Sequence, residues 1–128
     1  MKKIAALALL ASVCFAGQAH ALTNMEKSYV VNGTIGILTM TLCEAKPVKD
    51  GLVKLADRNG LDNEKLSKAV VAAMEANMNG DYDRDDLIPA VTQLLGSAII
   101  EFSEGFAKDK KGTCSKWITV LRNNGIVQ

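Results

Sequence analysis

The stretch VNGTIGILTMTLC, residues 31–43, decides how the chain is read. Val31, Ile35, Leu38 and Leu42 recur at the 4, 3, 4 spacing of one helical face, and Thr23 with Glu26 upstream has the spacing of a capping box. The pattern predicts a first helix over about Asn24 to Ala45. The same stretch carries a competing signal, because Asn32-Gly33 stands between Tyr29-Val30-Val31 and the β-branched run beginning Thr34-Ile35, as a hairpin turn does. Helix is the preferred reading and hairpin the alternative. If the segment is helical, Gly33 and Gly36 cost it propensity, which calls for a closely packed neighbouring backbone or a kink.

The stretch ends on Cys43, 71 positions before Cys114. A third cysteine, Cys14, falls in a segment with the three parts of a secretory signal. Lys2 and Lys3 open it, an apolar run follows from Ile4 to Phe15, and Ala19-His20-Ala21 closes it as a small-x-small cleavage site. Cleavage is expected after Ala21. The apolar run is well short of the ~20 residues that cross a hydrocarbon core. A lipoprotein signal using Cys14 is the alternative; Val13 and Ala11 fit that processing poorly. Processing after Ala21 leaves residues 22–128, one domain with a modest core, and two cysteines in an oxidising compartment. A Cys43–Cys114 disulfide follows as the expectation, with two unpaired buried thiols as the alternative.

Removing Lys2 and Lys3 from the 15 basic residues leaves them one short of the 14 acids. A balance of this kind argues against nucleic acid, whose phosphates call for a basic surface, and no polybasic face suits anionic lipid. Lys108, Lys110 and Lys111 read as a solvated turn. No later stretch reads as a membrane span; even Leu87 to Phe106 is interrupted by Thr92, Gln93, Ser97, Glu101, Ser103 and Glu104.

Four further helices are expected. Pro47 opens a short second one bearing Val48, Leu52, Leu55 and Ala56, stopped by Asn59-Gly60. Asp62 caps the third, Leu61 staples onto Leu66, and the buried face is Leu66, Ala69, Val70, Ala73 and Met74. A polar connection, Met78 to Asp86, leads to the fourth, with Asp85 or Asp86 as N-cap and Pro89 in its first turn. Its apolar positions are Ile88, Val91, Leu95, Ala98, Ile99, Phe102 and Phe106, and Leu87, Leu94 and Ile100 add a second side. A helix apolar over so much of its circumference is buried within the domain or against another chain. Thr113 caps the fifth, which carries Cys114, Trp117, Ile118 and Leu121 on one face and ends at Asn124-Gly125, so the disulfide is expected to run through the core. The fold class is therefore all-α: one small bundle of four to five helices with one long-range disulfide.

The residue inventory excludes much chemistry. The only histidine is His20, so a processed chain assembles neither a Ser-His-Asp triad nor a Cys-His dyad, nor zinc sites of the usual composition. There is no CxxCH and no phosphate-binding glycine loop. Glu101 and Glu104 share a helical face, but like-charged neighbours of this kind are the mark of a solvated surface, and a glycosidase draws its carboxylates from separate elements. Asp81, Asp83 and Asp85 alternate like the first ligands of an EF-hand, yet Asp86 stands at the glycine position and Thr92 at the bidentate glutamate. A register starting at Asn77 puts Tyr82 at the glycine position. Neither supports a metal, and no catalytic residue or cofactor is assigned. Tyr82 and Arg84 are residue types enriched at binding hot spots, so Asp81, Tyr82, Asp83, Arg84 and Asp85 form the candidate partner-binding loop.

In element order and cysteine placement alone, the layout resembles small immunity proteins that block cell-wall hydrolases, secretin pilotins and acid-activated periplasmic chaperones. No site residue is carried over from any of them. The expected function is a non-enzymatic protein-binding module of the bacterial periplasm, of inhibitor or immunity type. The alternatives are a carrier of a small apolar ligand, an acid or stress chaperone, or a secretion-assembly factor. A homodimer formed through the fourth helix is compatible with each.

Overall fold

The computed structural model describes residues 21–128; Met1 to His20, with Cys14 and most of the expected leader, lie outside the described residues. Five α-helices follow in order: α1 (Asn24–Leu42), α2 (Gly51–Arg58), α3 (Asn63–Asn77), α4 (Pro89–Lys108) and α5 (Lys110–Asn123), with a 3₁₀ turn at Arg84–Asp86 before α4. Among the described residues there is no strand, only an isolated antiparallel bridge between Pro47 and Val127. No helix among them is long and apolar enough to cross a membrane.

The ambiguous Asn32-Gly33 lies inside a helix. Its capping box forms: Thr23 Oγ1 accepts from the Glu26 N–H at 3.1 Å, and Glu26 Oε1 accepts from the Thr23 N–H at 2.9 Å. Burial then overrides the turn signal. Every residue from Asn32 to Gly36 is buried, so this part of α1 is surrounded by protein, and α1 packs against each of the other four helices. Asn32 is satisfied there as a core side chain: its Nδ2 donates to the Ser28 carbonyl at 2.7 Å, and its Oδ1 accepts from Asn124 Nδ2 at 3.1 Å. The two helical glycines receive side chains rather than a neighbouring backbone. A Cβ on Gly33 would lie 3.3 Å from Leu52 Cδ1, and one on Gly36 would lie 3.3 Å from Ile126 Cγ2.

The core has two lobes along α1. One joins Tyr29 and Val30 to Ala56, Leu66, Ala69, Val70, Ala73, Val91 and Leu95. The other joins Ile35 to Leu55, Ala98, Phe102, Leu121, Ile126 and Val127. The apolar positions of α3, α4 and α5 read from periodicity fill these lobes, although Met74 is only half-buried.

Five boundaries or placements differ from the sequence reading. The first helix ends at Leu42, not Ala45. Pro47 does not open α2: residues 46–48 lie beside the chain terminus, where the Val48 N–H donates to the Ile126 carbonyl and the Gln128 N–H to the Lys46 carbonyl, both at 2.9 Å. Helix α2 starts at Gly51 instead, after Asp50 in a left-handed conformation. Neither Asp85 nor Asp86 caps α4. Both are spent in the 3₁₀ turn, Ile88 takes the cap position, and Pro89 at N1 has no N–H to leave unsatisfied. Asp109, not Thr113, caps α5, accepting from the Gly112 N–H at 2.9 Å, so Lys110 and Lys111 belong to its first turn.

The fifth difference concerns the disulfide. Cys43 and Cys114 are bonded, with Cα atoms 5.6 Å apart. The bridge runs at the rim of the second lobe, not through it; both cysteines are half-buried and border a surface depression with Thr41, Leu42, Glu44, Lys110 and Lys111. On the chain-entropy model, closing a loop of this length stabilises the fold by about 4 kcal/mol. On α4, Ile100 is 59% exposed, so the expected second apolar side of that helix is only partly covered.

Two substitutions test the packing around α1 and α2. Thr34 is fully buried and its Oγ1 has no hydrogen-bond partner. Thr34→Val keeps the shape and removes the orphan hydroxyl, so thermal unfolding should show a gain of about 1 kcal/mol. A Cβ on Gly51 would lie 2.6 Å from the Gly125 carbonyl oxygen, a backbone atom that cannot swing aside. Gly51→Ala should lower stability by about 2 kcal/mol, read as an earlier urea midpoint at unchanged slope.

Candidate functional site

The candidate loop is anchored at both ends by local hydrogen bonds. Helix α3 ends in a Schellman arrangement: Asn79 takes a left-handed conformation (φ 56°), and the Gly80 N–H returns to the Glu75 carbonyl at 2.7 Å. The Glu75 carboxylate lies over Gly80 in the space a side chain there would fill, so the chain turns tightly against the end of the helix. Three residues on, Asp83 Oδ1 accepts from the Asp85 N–H at 2.9 Å, its carbonyl accepts from the Asp86 N–H at 3.0 Å, and the 3₁₀ turn packs on α3. Acidic side chains were expected to cap α4. Asp83 does cap, but it caps this shorter turn.

The five predicted residues do not all line one groove. Asp81, Tyr82 and Asp83 face a groove of about 220 Å³ against α3, walled by Val71 and Ala72. Asp85 lines an adjoining depression with Asp62, Lys65 and Ile88. Arg84 is exposed on the turn between them. Tyr82 is 38% exposed and Val71 59%, so two apolar side chains from different elements meet at a solvent-facing groove. Val71 and the α3 side of the groove were missed by sequence reasoning. A signal was present: Val71 and Met78, seven apart, form an apolar stripe beside the buried face, and Met78 is 63% exposed.

Helix α3, the wall of the groove, is positioned from its N-terminal end. Asp62 caps it, accepting from the Lys65 N–H at 3.1 Å. Tyr29, buried on α1, donates its hydroxyl to Asn63 Oδ1 at 2.8 Å across the helix interface. On the exposed side, Lys68 Nζ pairs with Glu64 at 3.1 Å, the only side-chain ion pair among the described residues, and that carboxylate holds the ammonium above its ordinary range.

The remaining acidic candidates are dispersed. Glu101 and Glu104 are both exposed on α4. Among the described residues, no three histidine, cysteine, aspartate or glutamate side chains are grouped so as to hold a metal. A depression of about 550 Å³ lies beside the disulfide among Glu44, Lys110 and Lys111. No family model matches the chain, and neither the curated proteins nor the solved structures contain a significant match to it.

The Tyr29 contact has a spectroscopic signature. Burial pushes its phenol above the ordinary value of 10.0. The chain has two tyrosines, so in Tyr82→Phe the phenolate absorbance reports Tyr29 alone and should rise only beyond that value. Because the folded value is raised, this contribution to stability is complete below pH 10.0 and is lost as pH climbs through the folded value. The urea midpoint of the variant should therefore fall across the same alkaline interval in which the phenolate appears.

Proposed function

We propose that the protein is an exported, non-enzymatic binding module of the bacterial periplasm that docks another protein through the loop between α3 and α4, in the manner of an inhibitor or immunity protein directed at a cell-wall enzyme. The observation that carries this reading is Tyr82. It is a partly exposed aromatic side chain on a loop fixed by the Schellman turn, the Asp83 cap and the 3₁₀ turn, and it meets exposed Val71 across the groove. A loop anchored at both ends gives up less conformational entropy on docking than a free segment, and aromatic and arginine side chains supply the largest truncation losses at interfaces. The residue inventory supports the non-enzymatic part: residues 22–128 contain no histidine, and both of their cysteines are tied in the disulfide.

The oxidised protein should capture a stoichiometric protein partner from the periplasm of its own organism or of a competitor, identified by mass spectrometry. Tyr82→Ala should weaken that complex by about thirtyfold, the equivalent of a 2 kcal/mol hot spot, and Arg84→Ala by less. Alanine at Tyr82, Arg84, Asp81, Asp83 and Asp85 together leaving affinity unchanged would remove the loop as the binding site. Failure to retain any protein would remove the reading itself.

A further inference from the structure

Resting on that reading, we infer that the groove between α3 and the loop takes a cationic segment of the partner, with one apolar side chain seated on Val71, Ala72 and Tyr82 and flanking lysines or arginines reaching the carboxylates at its rim. The floor comes first: Val71 and Tyr82 are exposed to an extent that leaves apolar surface unpartnered, and Ala72 closes the wall behind them. The rim selects the occupant. Glu75, Asp81, Asp83 and Asp86 line the groove, and none of them has an ion pair. The one cation there, Lys68, is already engaged by Glu64. Of the 14 acids in the chain, seven lie within residues 62–86, where the only bases are Lys65, Lys68 and Arg84. Lys68 offsets part of this charge, at Asp86 as well as Glu64, but the excess is negative, so an anionic segment would be repelled, whereas a basic one is steered in and held.

The alternative occupant is a second copy. Lys108, Lys110 and Lys111 gather at the junction of α4 and α5, one helix length from the groove, about 30 Å at 1.5 Å per residue. Docking that end into the groove of another copy joins unlike surfaces head to tail, a geometry that propagates unless its rotation closes a ring. A partner's basic segment has no such constraint.

The probes are blocked pentapeptides titrated into the oxidised full chain and followed by backbone amide shifts: Lys-Lys-Leu-Lys-Lys, its Glu-Glu-Leu-Glu-Glu counterpart, and Lys-Lys-Ser-Lys-Lys. The leucine-bearing cationic peptide should shift Val71, Ala72 and Tyr82, bind about tenfold tighter than the acidic one, and weaken steeply with added salt. Replacing leucine by serine, or Val71 by serine at its exposed site, should cost about fivefold through lost apolar contact. The pair Asp81→Asn and Asp86→Asn should cost a similar factor, about fivefold. Equal affinity for the two leucine peptides, or shifts that map away from the groove, overturns the inference. So does concentration-dependent self-association abolished by Asp81→Asn, which assigns the groove to a second copy. If Tyr82→Ala releases the captured partner while the two asparagine variants leave its affinity unchanged, the cationic-segment inference falls and the binding-module reading stands.

Discussion

Close approach to α1 at Gly33 and Gly36 is the constraint on which the rest of the bundle depends. With no side chain at either position, Leu52 from α2 and Ile126 from the chain terminus reach the helix surface, and the two core lobes meet along one rod. Larger residues there would push α2 and the terminal segment outward, and those two elements also hold each other. Arg58 Nη2 donates to the Asn124 carbonyl at 3.1 Å, and Gly51 packs against Gly125. The helix propensity lost at the two glycines, about 1 kcal/mol each, is offset by burial that a more helix-prone sequence would forfeit.

The sequence made the helices legible because their apolar residues recur with a helical period, and burial did the rest. Leu66, Ala69, Val70 and Ala73 on α3, and Val91, Leu95, Ala98 and Phe102 on α4, are core residues as that periodicity requires. Helix starts were harder. Several residue types near each start are able to cap, and the choice among them is tertiary: Asp109 reaches the Gly112 N–H before Thr113 becomes relevant, and Asp85 and Asp86 are drawn into a turn that packs on α3. The region after Cys43 was misread for a related reason. Pro47 is compatible with a helix start, but residues 46–48 find their backbone partners near the chain terminus, eighty positions away in sequence, and no local pattern encodes that pairing.

Of the candidate loop, the composition was legible in the sequence and the geometry was not. Tyr82 amid aspartates in a polar connection is a visible anomaly in the sequence, and the loop holding it is built from the turn-forming residues seen there. The partition of that loop was not visible. Which depression each aspartate lines is set by the turn that Asp83 closes by bonding the Asp85 N–H, and the groove forms where Val71, beside the buried Val70 and Ala72 on the helix, and Tyr82 come together in space. A single exposed valine on a helix is unremarkable in one dimension; only the fold places it at one groove with an exposed aromatic from the next connection.

Topologically, the Cys43–Cys114 bond turns the chain into a ring with two tails. The ring contains α2, α3, the candidate loop and α4, while α1 and most of α5 are tails that pack back onto it. The largely exposed connection from Met78 to Asp86 is thus inside the covalent circle. A single cut there separates no fragment, and the severed ends remain attached through the bridge to the helices that pack around them. A nick in this connection therefore costs the molecule the loop's continuity and leaves it one covalent piece.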